Sequence, residues 1–441
     1  MSKTFISILA IFLISLNGFW ANGQNTFTNA VSNNWTDAGN WSGGLPETNE
    51  AVSIQGTVSI STAVSSGSVT INGDSRSITV NSGGTLTCAN LSVGAGVFSG
   101  IAINFGGEVI VNGFMNNSAG VVVNSGGKLR VTGAVNNQIT EASILINSGA
   151  SLITESTIEN NGTFKVSRLF QNDRWHLISL PVAAWDSYDL FLDDYLQEWV
   201  VDDSNPATNW AWREITSPEE VLVKMKGYSF YRTDANATFG FTGAPNTGTQ
   251  SIALAKDDDN SAGADNKGWN LVGNPYPSGL NWADLDDTYG AIYYWDDNGY
   301  KSWNAGSGDG KSIAMPLQAF FIYVPSNGAT NFSVSNSNRV HPTNLTYYKE
   351  AADASLLVLE ATSPEHTDRL YIRWNETATG AFDFATDAFK IMSANEGVSM
   401  LYSLGDDASK LSIDQRPATE SIPVGFFNSE AGIYEIALSS E

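Results

Sequence analysis

The sequence predicts an all-β protein, built from an N-terminal parallel β-solenoid or β-meander, a duplicated aromatic-rich β domain and a C-terminal β-sandwich. Three observations lead to this class. Apolar residues alternate with Ser, Thr and Asn in short runs, which is the pattern of half-exposed strands. Two internal repeats of different period occupy most of the chain. Only residues 185–199 carry apolar side chains at spacings of three and four, and we expect one or two helical turns there.

The composition limits the classes of function. The 441 residues are 42% hydrophobic and 15% charged, which is enough apolar material for several packed domains. The formal net charge is −24, from 22 basic and 46 acidic residues. Because binding to phosphate backbones and to anionic membranes depends on Lys and Arg, we expect no nucleic-acid partner. An acidic surface suits solubility outside the cell.

The first 23 residues have the organisation of a signal peptide. Lys3 supplies a positive charge, residues 5–16 form a short apolar core, and Ala21 and Gly23 stand where a cleavage site has small residues. The apolar run is shorter than the roughly 20 residues that a membrane span requires, and the sequence has no second candidate span. We therefore expect an exported protein, extracellular or on the outer cell surface, without a transmembrane helix.

Residues 24–164 are predicted to form the first domain, and it opens on 34-NWTDAGNWSGGLPE-47. Trp35 and Trp41 in this segment are expected to cover the end of the core that follows, where an open edge would otherwise invite pairing. The single cysteine, Cys88, excludes an intramolecular disulfide. It lies in an alternating run, so we expect a small buried side chain rather than a reactive thiol.

Four units then repeat at offsets of 23, 20 and 23 residues, measured between Asn81, Asn104, Asn124 and Asn147. Each unit is an alternating run, an Asn-x-Gly-Gly corner (Asn-x-Gly-Ala in the fourth) and a second alternating run. Glycine supplies the positive φ that tight corners need. The period predicts coils of a parallel β-solenoid, with a meander of hairpins as the alternative. The asparagines are expected to form ladders or turns rather than to bind a ligand.

Residues 165–342 contain a longer repeat, which predicts two copies of one β unit at about 165–262 and 263–342. The segment 175-WHLISLPV matches 269-WNLVGNPY at an offset of 94, and 227-GYSFYR matches 319-AFFIYV at an offset of 92. Each copy is predicted to begin with a Trp strand that ends at a proline and to close with an aromatic strand. The addition in the second copy, 274-NPYPSGLNW, is predicted to be a structural corner rather than a ligand pocket.

Residues 343–441 are predicted to form a smaller β-sandwich-like domain. Alternating runs occur at sandwich-like spacing, namely 355-SLLVLEAT, 369-RLYIRWNE, 386-TDAFKIM, 422-IPVGFF and 433-IYEIAL.

Motifs for common enzyme chemistry are weak. The segment 305-AGSGDGKS-312 lacks the first glycine of a phosphate-binding loop and precedes a β-type run, so we predict a glycine-rich hairpin loop. The sequence contains no Gly-x-Ser-x-Gly elbow and no His-Glu-x-x-His motif, and we expect His176 to be a packed imidazole. Paired carboxylates such as Asp193–Asp194, Asp286–Asp287 and Asp296–Asp297 keep a glycoside hydrolase as a distant alternative.

Two groups of residues are candidates for binding. Sugars stack on exposed Trp and Tyr rings, which makes the aromatic residues of two predicted hairpins candidate carbohydrate-binding residues, with membership of the core as the alternative: Trp210, Trp212, Trp295, Tyr300 and Trp303. The acidic run 257-DDDNSAGADN-266 offers oxygen ligands that suit a structural Ca²⁺, with an exposed acidic loop as the alternative: Asp257, Asp258, Asp259 and Asp265. No other cofactor is expected.

Four features together cover almost the whole mature chain: the NW…NWSGGLP opening, the Asn-x-Gly-Gly repeats, the pair 174-RWHLISLPV and 268-GWNLVGNPYPS, and the strands of 355–438. In these features the sequence resembles the large exported surface proteins of Bacteroidetes-type bacteria that use the type IX secretion route. The resemblance implies export and surface attachment and carries no defined activity. It also implies a C-terminal sorting sandwich, and none is evident before Glu441. We therefore expect the 343–441 domain either to be truncated or to have another role.

The sequence thus favours a non-enzymatic adhesin or structural and interaction module, with surface glycans or other cell-surface proteins as partners. A carbohydrate-binding accessory module of a polysaccharide-utilising system is the alternative. A carboxylate-dependent glycoside hydrolase is more distant.

Overall fold

The computed structural model describes residues 24–185, 194–200, 212–217, 220–257, 268–297, 299–342, 355–363, 366–393, 395–419 and 421–439. The predicted all-β class is confirmed, with a parallel β-solenoid of about 5 turns at the N-terminal side. The helical segments of the described part are single turns: 3₁₀ turns at Ala38–Asn40, Trp282–Asp284 and Asn336–Asn338, and helix α1 at Asp286–Tyr289. No helix in these ranges is long and apolar enough to cross a membrane.

Fifteen strands build the N-terminal cap and the solenoid coils: β1 (Asn25–Phe27), β2 (Val52–Ile54), β3 (Thr57–Ile60), β4 (Ala63–Ile71), β5 (Ser77–Val80), β6 (Thr85–Val93), β7 (Gly100–Ile103), β8 (Glu108–Val111), β9 (Met115–Asn117), β10 (Gly120–Val123), β11 (Lys128–Val131), β12 (Val135–Asn137), β13 (Ser143–Ile146), β14 (Ser151–Thr154) and β15 (Ile158–Asn160).

The strands pair in parallel between successive coils, which establishes the solenoid and excludes the meander. One face runs in the order β3, β5, β7, β10 and β13. The long strands β4 and β6 each extend over two further faces of the coil. Strands β8, β11 and β14 continue one of these faces, and strands β9, β12 and β15 continue the other. Hairpins would pair neighbours in antiparallel fashion, whereas coils place equivalent residues directly above one another.

The pairing register stacks identical positions of the repeat in the core. Ile78 lies beside Ile101, which lies beside Val121, which lies beside Ile144. These four side chains are at most 3% exposed. Full burial of an aliphatic side chain stabilises a fold by about 1.5–3 kcal/mol, so the stacked rows provide the main driving force for the coil.

The repeat asparagines form a ladder along one corner of the coil. The side-chain Nδ2 of Asn147 donates to Asn124, Asn124 donates to Asn104, and Asn104 donates to Asn81, each at 2.9 Å. Asn81 ends the ladder by donating to the hydroxyl of Ser59 at 3.0 Å. The prediction that these residues have a structural role is confirmed, because each inner amide both donates and accepts within the ladder.

The glycine two residues after each ladder asparagine has a left-handed backbone conformation. Gly83, Gly106, Gly126 and Gly149 have φ between +71° and +79°. Their amides continue the stacking, since Gly106 donates to the carbonyl of Gly126 at 3.1 Å and Gly126 to that of Gly149 at 2.9 Å. A β-carbon at these positions would force an unfavourable backbone conformation, which explains why the corner sequence recurs.

The N-terminal tryptophans close the first coil, as predicted. Trp35 and Trp41 are 2% and 6% exposed, and their rings meet edge-to-face at 4.8 Å between centroids. The indole nitrogen of Trp41 donates to the carbonyl of Trp35 at 2.7 Å, and Phe27 packs on the other side of Trp41. Cys88 is buried within the solenoid, and burial raises the pKa of its thiol to about 12.

The first copy of the longer repeat continues from the solenoid without a break: β16 (Thr163–Phe170), β17 (Arg174–Ile178), β18 (Ala184–Trp185), β19 (Tyr195–Trp199), β20 (Trp212–Glu214), β21 (Leu222–Val223), β22 (Tyr228–Arg232) and β23 (Ala237–Thr242). Strand β16 pairs in parallel with β13 and in antiparallel fashion with β23. It is therefore both the last strand of the solenoid face and the first strand of the copy.

The second copy has the same number of strands: β24 (Gln250–Ala253), β25 (Trp269–Gly273), β26 (Gly279–Asn281), β27 (Ile292–Trp295), β28 (Tyr300–Trp303), β29 (Ile313–Ala314), β30 (Ala319–Tyr323) and β31 (Asn331–Val334). Strand β32 (Arg339–Val340) follows and pairs with β26.

The strand pairings of the two copies correspond one to one. In the first copy β16 pairs with β23, β17 with β22, β18 with β21, and β19 with both β20 and β22. In the second copy β24 pairs with β31, β25 with β30, β26 with β29, and β27 with both β28 and β30. The register agrees with the sequence match, because Trp175 faces Tyr231 and Trp269 faces Tyr323.

The prediction of helical turns at 185–199 is wrong for the residues of this segment that the structure describes. Residues 186–193 lie outside the described part, and Tyr195–Trp199 is strand β19. Leu196 and Glu198 are buried in alternation with more exposed neighbours, so a period of two, imposed by pairing with β22, overrides the helical spacing.

The C-terminal β structure forms one curled seven-stranded sheet: β33 (Leu356–Thr362), β34 (Thr367–Trp374), β35 (Ala388–Phe389), β36 (Met400–Leu404), β37 (Lys410–Arg416), β38 (Val424–Phe427) and β39 (Glu435–Leu438). The sheet packs on the second copy through aromatic contacts of Phe389 with Trp269 and Tyr323 and through polar contacts. The amide of Phe389 donates to the Tyr293 hydroxyl at 2.8 Å, and the Asn304 side chain donates to the Asp387 carbonyl at 2.8 Å.

Candidate functional site

The predicted sugar-binding aromatics lie in a packed group of rings between the two copies and the C-terminal sheet. We define the aromatic cluster as Trp199, Trp212, Trp269, Trp295, Tyr300 and Phe321. Strands β19 and β20 of the first copy supply two of its rings, and strands β25, β27, β28 and β30 of the second copy supply the other four. The duplicated pairing pattern thus brings equivalent aromatic strands from both copies to one place.

Phe321 lies at the centre of the aromatic cluster. Its ring centroid is 4.9 Å from that of Trp199, 5.7 Å from that of Tyr300 and 5.9 Å from that of Trp212, with interplanar angles of 79° to 84°. These edge-to-face contacts are the favoured geometry of aromatic pairs and contribute about 0.5–1.5 kcal/mol each beyond simple burial. Several ring faces that a sugar would need are therefore already in contact with neighbouring ring edges.

The outer rings of the aromatic cluster are half-buried rather than fully enclosed. Trp295 and Tyr300 face each other across the β27–β28 hairpin, with centroids 5.2 Å apart. Burial raises the pKa of the Tyr300 hydroxyl well above its usual range. The Trp295 indole nitrogen is buried and has no hydrogen-bond partner within the described ranges. An unpaired buried donor is unfavourable, and at Trp295 it lies within the packed rings of the aromatic cluster.

The structure separates one candidate from the rest. Trp303 is in the same hairpin as Trp295, yet it packs against the interior of the second copy with Trp282 and Phe320. Trp212 belongs to the aromatic cluster, and Trp210 lies outside the described residues. Trp199, Trp269 and Phe321 were not among the sequence candidates. The available signal for Trp269 was its recurrence as Trp175 in the first copy, whereas Phe321 aligns with Ser229 and had no such signal.

The candidate calcium ligands are only partly described. Asp257 is buried, and its carboxylate accepts a hydrogen bond from the Tyr323 hydroxyl at 2.8 Å, while Asp258, Asp259 and Asp265 lie outside the described residues. In the ranges that the structure covers, no group of three or more His, Cys, Asp or Glu side chains is placed to hold a metal ion. A structural Ca²⁺ at this loop remains a prediction, and a melting temperature that EDTA and Ca²⁺ leave unchanged would contradict it.

One carboxylate of each predicted acidic pair takes part in the local structure around it. Asp194 pairs with Arg232 and accepts from the Thr233 amide at 2.8 Å, whereas Asp193 lies outside the described residues. Asp286 begins the single turn α1, and Asp297 pairs with Arg174 at 2.9 Å. These contacts account for the three carboxylates without catalysis.

Other sequence expectations concern single segments. The loop 305–312 is followed by strand β29 instead of a helix, so the absence of a phosphate-binding loop arrangement agrees with the prediction. The predicted hairpin is wrong, because β28 pairs with β27 and β29 pairs with β26, so the loop connects two different sheets. His176 packs against Phe170 with centroids 5.3 Å apart, and its Nε2 lies 2.9 Å from the Gln171 carbonyl. Burial lowers the pKa of His176 to about 4, so the imidazole is neutral at physiological pH.

The corner unique to the second copy is structural. Asn274 is fully buried, and its amide donates to the carbonyls of Ser278, Ala314 and Met315 at 2.6, 3.1 and 3.0 Å. Its oxygen accepts from the Tyr276 amide at 2.9 Å. With every polar atom of the Asn274 side chain occupied, the segment forms a closed turn that supports β26 and β29.

One buried carboxyl is strongly perturbed. Asp387 accepts from the amides of Gln415 and Asp383 at 2.7 and 2.8 Å, and it is 1% exposed. Burial raises its pKa from 3.8 to about 7, against the lowering effect of those two hydrogen bonds. The backbone carbonyl of the same residue accepts a hydrogen bond from the Asn304 side chain of the second copy at 2.8 Å.

The fold and the candidate site together define a solenoid-bearing all-β protein with a duplicated aromatic unit. Comparison with known proteins adds one match: residues 109–307 fit the model of a domain of unknown function (DUF8693). The matched range begins in strand β8 and ends in the loop after β28, and so includes the later coils, the first copy and much of the second. No curated protein matches the chain, and no solved structure matches it.

Proposed function

We propose that this chain is a non-enzymatic, exported β protein of the cell surface or the secreted fraction, which acts as an adhesin or as a structural and interaction module. The observation that carries the proposal is the continuity of its core. One cluster of buried side chains extends from Phe27 at the N-terminal cap to Phe241 in the first copy. With about 5 coils at the ~4.8 Å spacing of paired strands, the solenoid forms a stiff spacer roughly 24 Å long.

The second copy is fixed to this spacer by buried polar contacts. Arg339 donates to the Leu152 carbonyl at 2.8 Å and to the Thr154 carbonyl at 2.6 Å, both in strand β14 of the solenoid. Its guanidinium also lies over the Tyr276 ring, 4.6 Å from the centroid. Such clamps favour a rigid scaffold that holds a binding surface at a fixed distance and orientation.

Most buried charges of the described part are also committed to internal pairs. Lys390 pairs with Asp368, and Arg416 pairs with Asp414, in the C-terminal sheet. Buried ion pairs of this kind add little net stability but disfavour alternative packings. Their use in the interior supports a structural role over a catalytic one.

Export is tested by the fate of the first 23 residues. We expect N-terminal sequencing of the exported protein to begin at Gln24, and we expect Leu13→Asp to block export because a charge in the apolar core prevents signal recognition. Phe19→Leu, outside that core, is the matched control. An exported protein that retains residues 1–23, or a Leu13→Asp variant exported normally, would contradict this part of the proposal.

Adhesion is tested with beads that carry the mature chain. We expect them to be retained on surface-glycan or cell-surface-protein preparations, whereas beads that carry the heat-unfolded chain are not. Prior treatment of the preparation with protease or with periodate identifies which of the two chemistries is bound. Release of new reducing ends or peptides during the incubation would indicate turnover and overturn the non-enzymatic assignment.

Carbohydrate binding is the second candidate, and the partial exposure of the neighbouring Trp295 and Tyr300 rings favours it. A polysaccharide pull-down can use two tryptophans of one hairpin as a matched pair. We expect Trp295→Ala to lose binding and Trp303→Ala to retain it, because only Trp295 belongs to the aromatic cluster. Circular dichroism of both variants reports folding. Binding that neither substitution changes, or that is absent in the unaltered protein, excludes this candidate.

A further inference from the structure

A cleft of about 290 Å³ lies where the last solenoid coil, strand β16 and the segment before β30 meet. Its walls come from three regions of the chain: residues 147–150 of the coil corner, 166–169 of β16, and 315–318 with Lys311 from the second copy. The cleft is separate from the aromatic cluster, with which it shares no residue.

Arg168 is held in a fixed orientation at this cleft. Its Nη1 donates to the Leu317 carbonyl at 2.6 Å and lies 3.4 Å from the Leu177 carbonyl, and its guanidinium is 4.9 Å from the centroid of Phe170. Its hydrogen bonds to described residues all run through Nη1. Nε and Nη2 therefore retain three N–H donors, and a planar fork of this kind fits an oxyanion in bidentate fashion.

The charge of the cleft differs from that of the whole chain. Arg168 and Lys311 both line it, and no carboxylate is among its lining residues, although the formal net charge of the chain is −24. Burial lowers the pKa of Arg168 to about 10 and also lowers the pKa of Lys311. A bound anion would stabilise both charged forms.

The remaining walls provide groups that bind hydroxyls. Asn147 is the last rung of the asparagine ladder: its Nδ2 donates to Asn124, and the next position in register, on β16, is Ser167 rather than another asparagine. The Oδ1 of Asn147 accepts no hydrogen bond from a described residue. Ser148 and Gln318 also line the cleft, and Leu169 at its edge is 50% exposed.

We propose that this cleft binds the carboxylate of a small hydroxylated acid of monosaccharide size, a sugar acid such as a hexuronate. The Nε and Nη2 donors of Arg168 would hold the carboxylate, and Asn147, Ser148 and Gln318 would bind its hydroxyls. The volume lies at the lower end of small-molecule sites, which is room for a single ring. The inference does not depend on the proposed adhesin function or on the aromatic cluster.

Calorimetric titration of the full mature chain tests the proposal, with glucuronate and galacturonate against glucose and galactose. We expect the acids to bind at least about tenfold more tightly than the neutral sugars, since one charge-assisted bond is sufficient for that ratio. We expect the difference to shrink between 50 mM and 500 mM NaCl, because salt screens the attraction between the carboxylate and the cationic side chains of the cleft. Equal binding of acids and neutral sugars, or no binding of either, overturns the proposal. Inorganic phosphate binding more tightly than the uronates overturns the carboxylate assignment.

Substitutions at two equally exposed leucines provide a matched pair. Leu169→Glu adds a negative charge beside the cleft and leaves the Arg168 bonds intact, so we expect uronate affinity to fall at least about tenfold. Leu45 in the N-terminal segment is likewise 50% exposed, and Leu45→Glu makes the same change in net charge away from the cleft. We expect Leu45→Glu to bind as the unaltered protein does. Equal uronate affinities of Leu169→Glu and Leu45→Glu refute the site. Arg168→Gln, once its folding has been checked, should abolish the preference for acids over neutral sugars.

Discussion

The asparagine ladder offers a test of what holds the solenoid coils in register. Asn124 is an inner rung that donates to Asn104 and accepts from Asn147, both at 2.9 Å. Asn124→Ala removes both bonds and leaves the neighbouring amide groups unpaired at a half-buried corner. Each bond contributes about 0.5–1.5 kcal/mol net, so we expect a loss of about 1–3 kcal/mol in the free energy of local opening.

Two further variants control for simple truncation. Asn147→Ala, at the end of the ladder, removes one rung bond and should lower the free energy of opening by about half as much. Asn124→Asp keeps the size of the side chain but directs a carboxylate at the Asn104 oxygen, which is an acceptor in the present arrangement. We therefore expect Asn124→Asp to be at least as destabilising as Asn124→Ala.

Hydrogen exchange measured by mass spectrometry is the suitable assay, because a chain of several packed parts need not unfold in one step. For Asn124→Ala we expect amides of residues 120–131 to exchange about tenfold to a hundredfold faster, since 1.4 kcal/mol corresponds to a factor of ten. Amides of the C-terminal sheet should be unaffected. If Asn124→Ala and Asn147→Ala change exchange equally, or neither changes it, the ladder does not stabilise the coil as argued.

Three more expectations follow from buried polar groups. Arg339→Met should lower the free energy of unfolding in urea by about 2–4 kcal/mol because it leaves the carbonyl of Leu152 without its buried donor, and an unchanged urea midpoint would refute the clamp. Asp387 holds a proton in the folded protein that the unfolded chain releases above about pH 4, so stability should fall by up to about 1.4 kcal/mol per pH unit between pH 4 and 7, then level off. Asp387→Asn should remove that slope, and a persistent slope would assign it to another group. Cys88, whose pKa burial raises to about 12, should resist thiol reagents in the native protein and react fully in denaturant; rapid native labelling would show that the coil opens.

The repeats carried most of the prediction, because their signals are local. Alternation of apolar and polar residues specifies a strand, and a left-handed glycine specifies a corner, whatever the rest of the chain does. The 92–94-residue offset of the longer repeat agrees with the pairing, in which Trp175 and Trp269 face equivalent tyrosines. The fold class and the ladder were therefore accessible before any coordinates.

Other features depended on neighbours that the local pattern does not identify. The helical spacing at 195–199 yields to pairing with β22. The C-terminal strands Met400–Leu404 and Lys410–Arg416 were missed, because β37 buries the charged pair Asp414 and Arg416 where alternation predicts exposed positions.

By itself, the sequence determined the strands, the corners and the duplication of this protein. Parallel pairing was decided only in three dimensions, since the same glycine corners suit hairpins and coils. The tertiary structure also placed Trp295 in the aromatic cluster and packed Trp303 against the core of the second copy, although both belong to one hairpin. The cleft around Arg168 joins residues as far apart in the chain as Ile146 and Pro342. Local periodicity fixes which way a side chain points from its strand, but only the packing of distant strands fixes what it meets there.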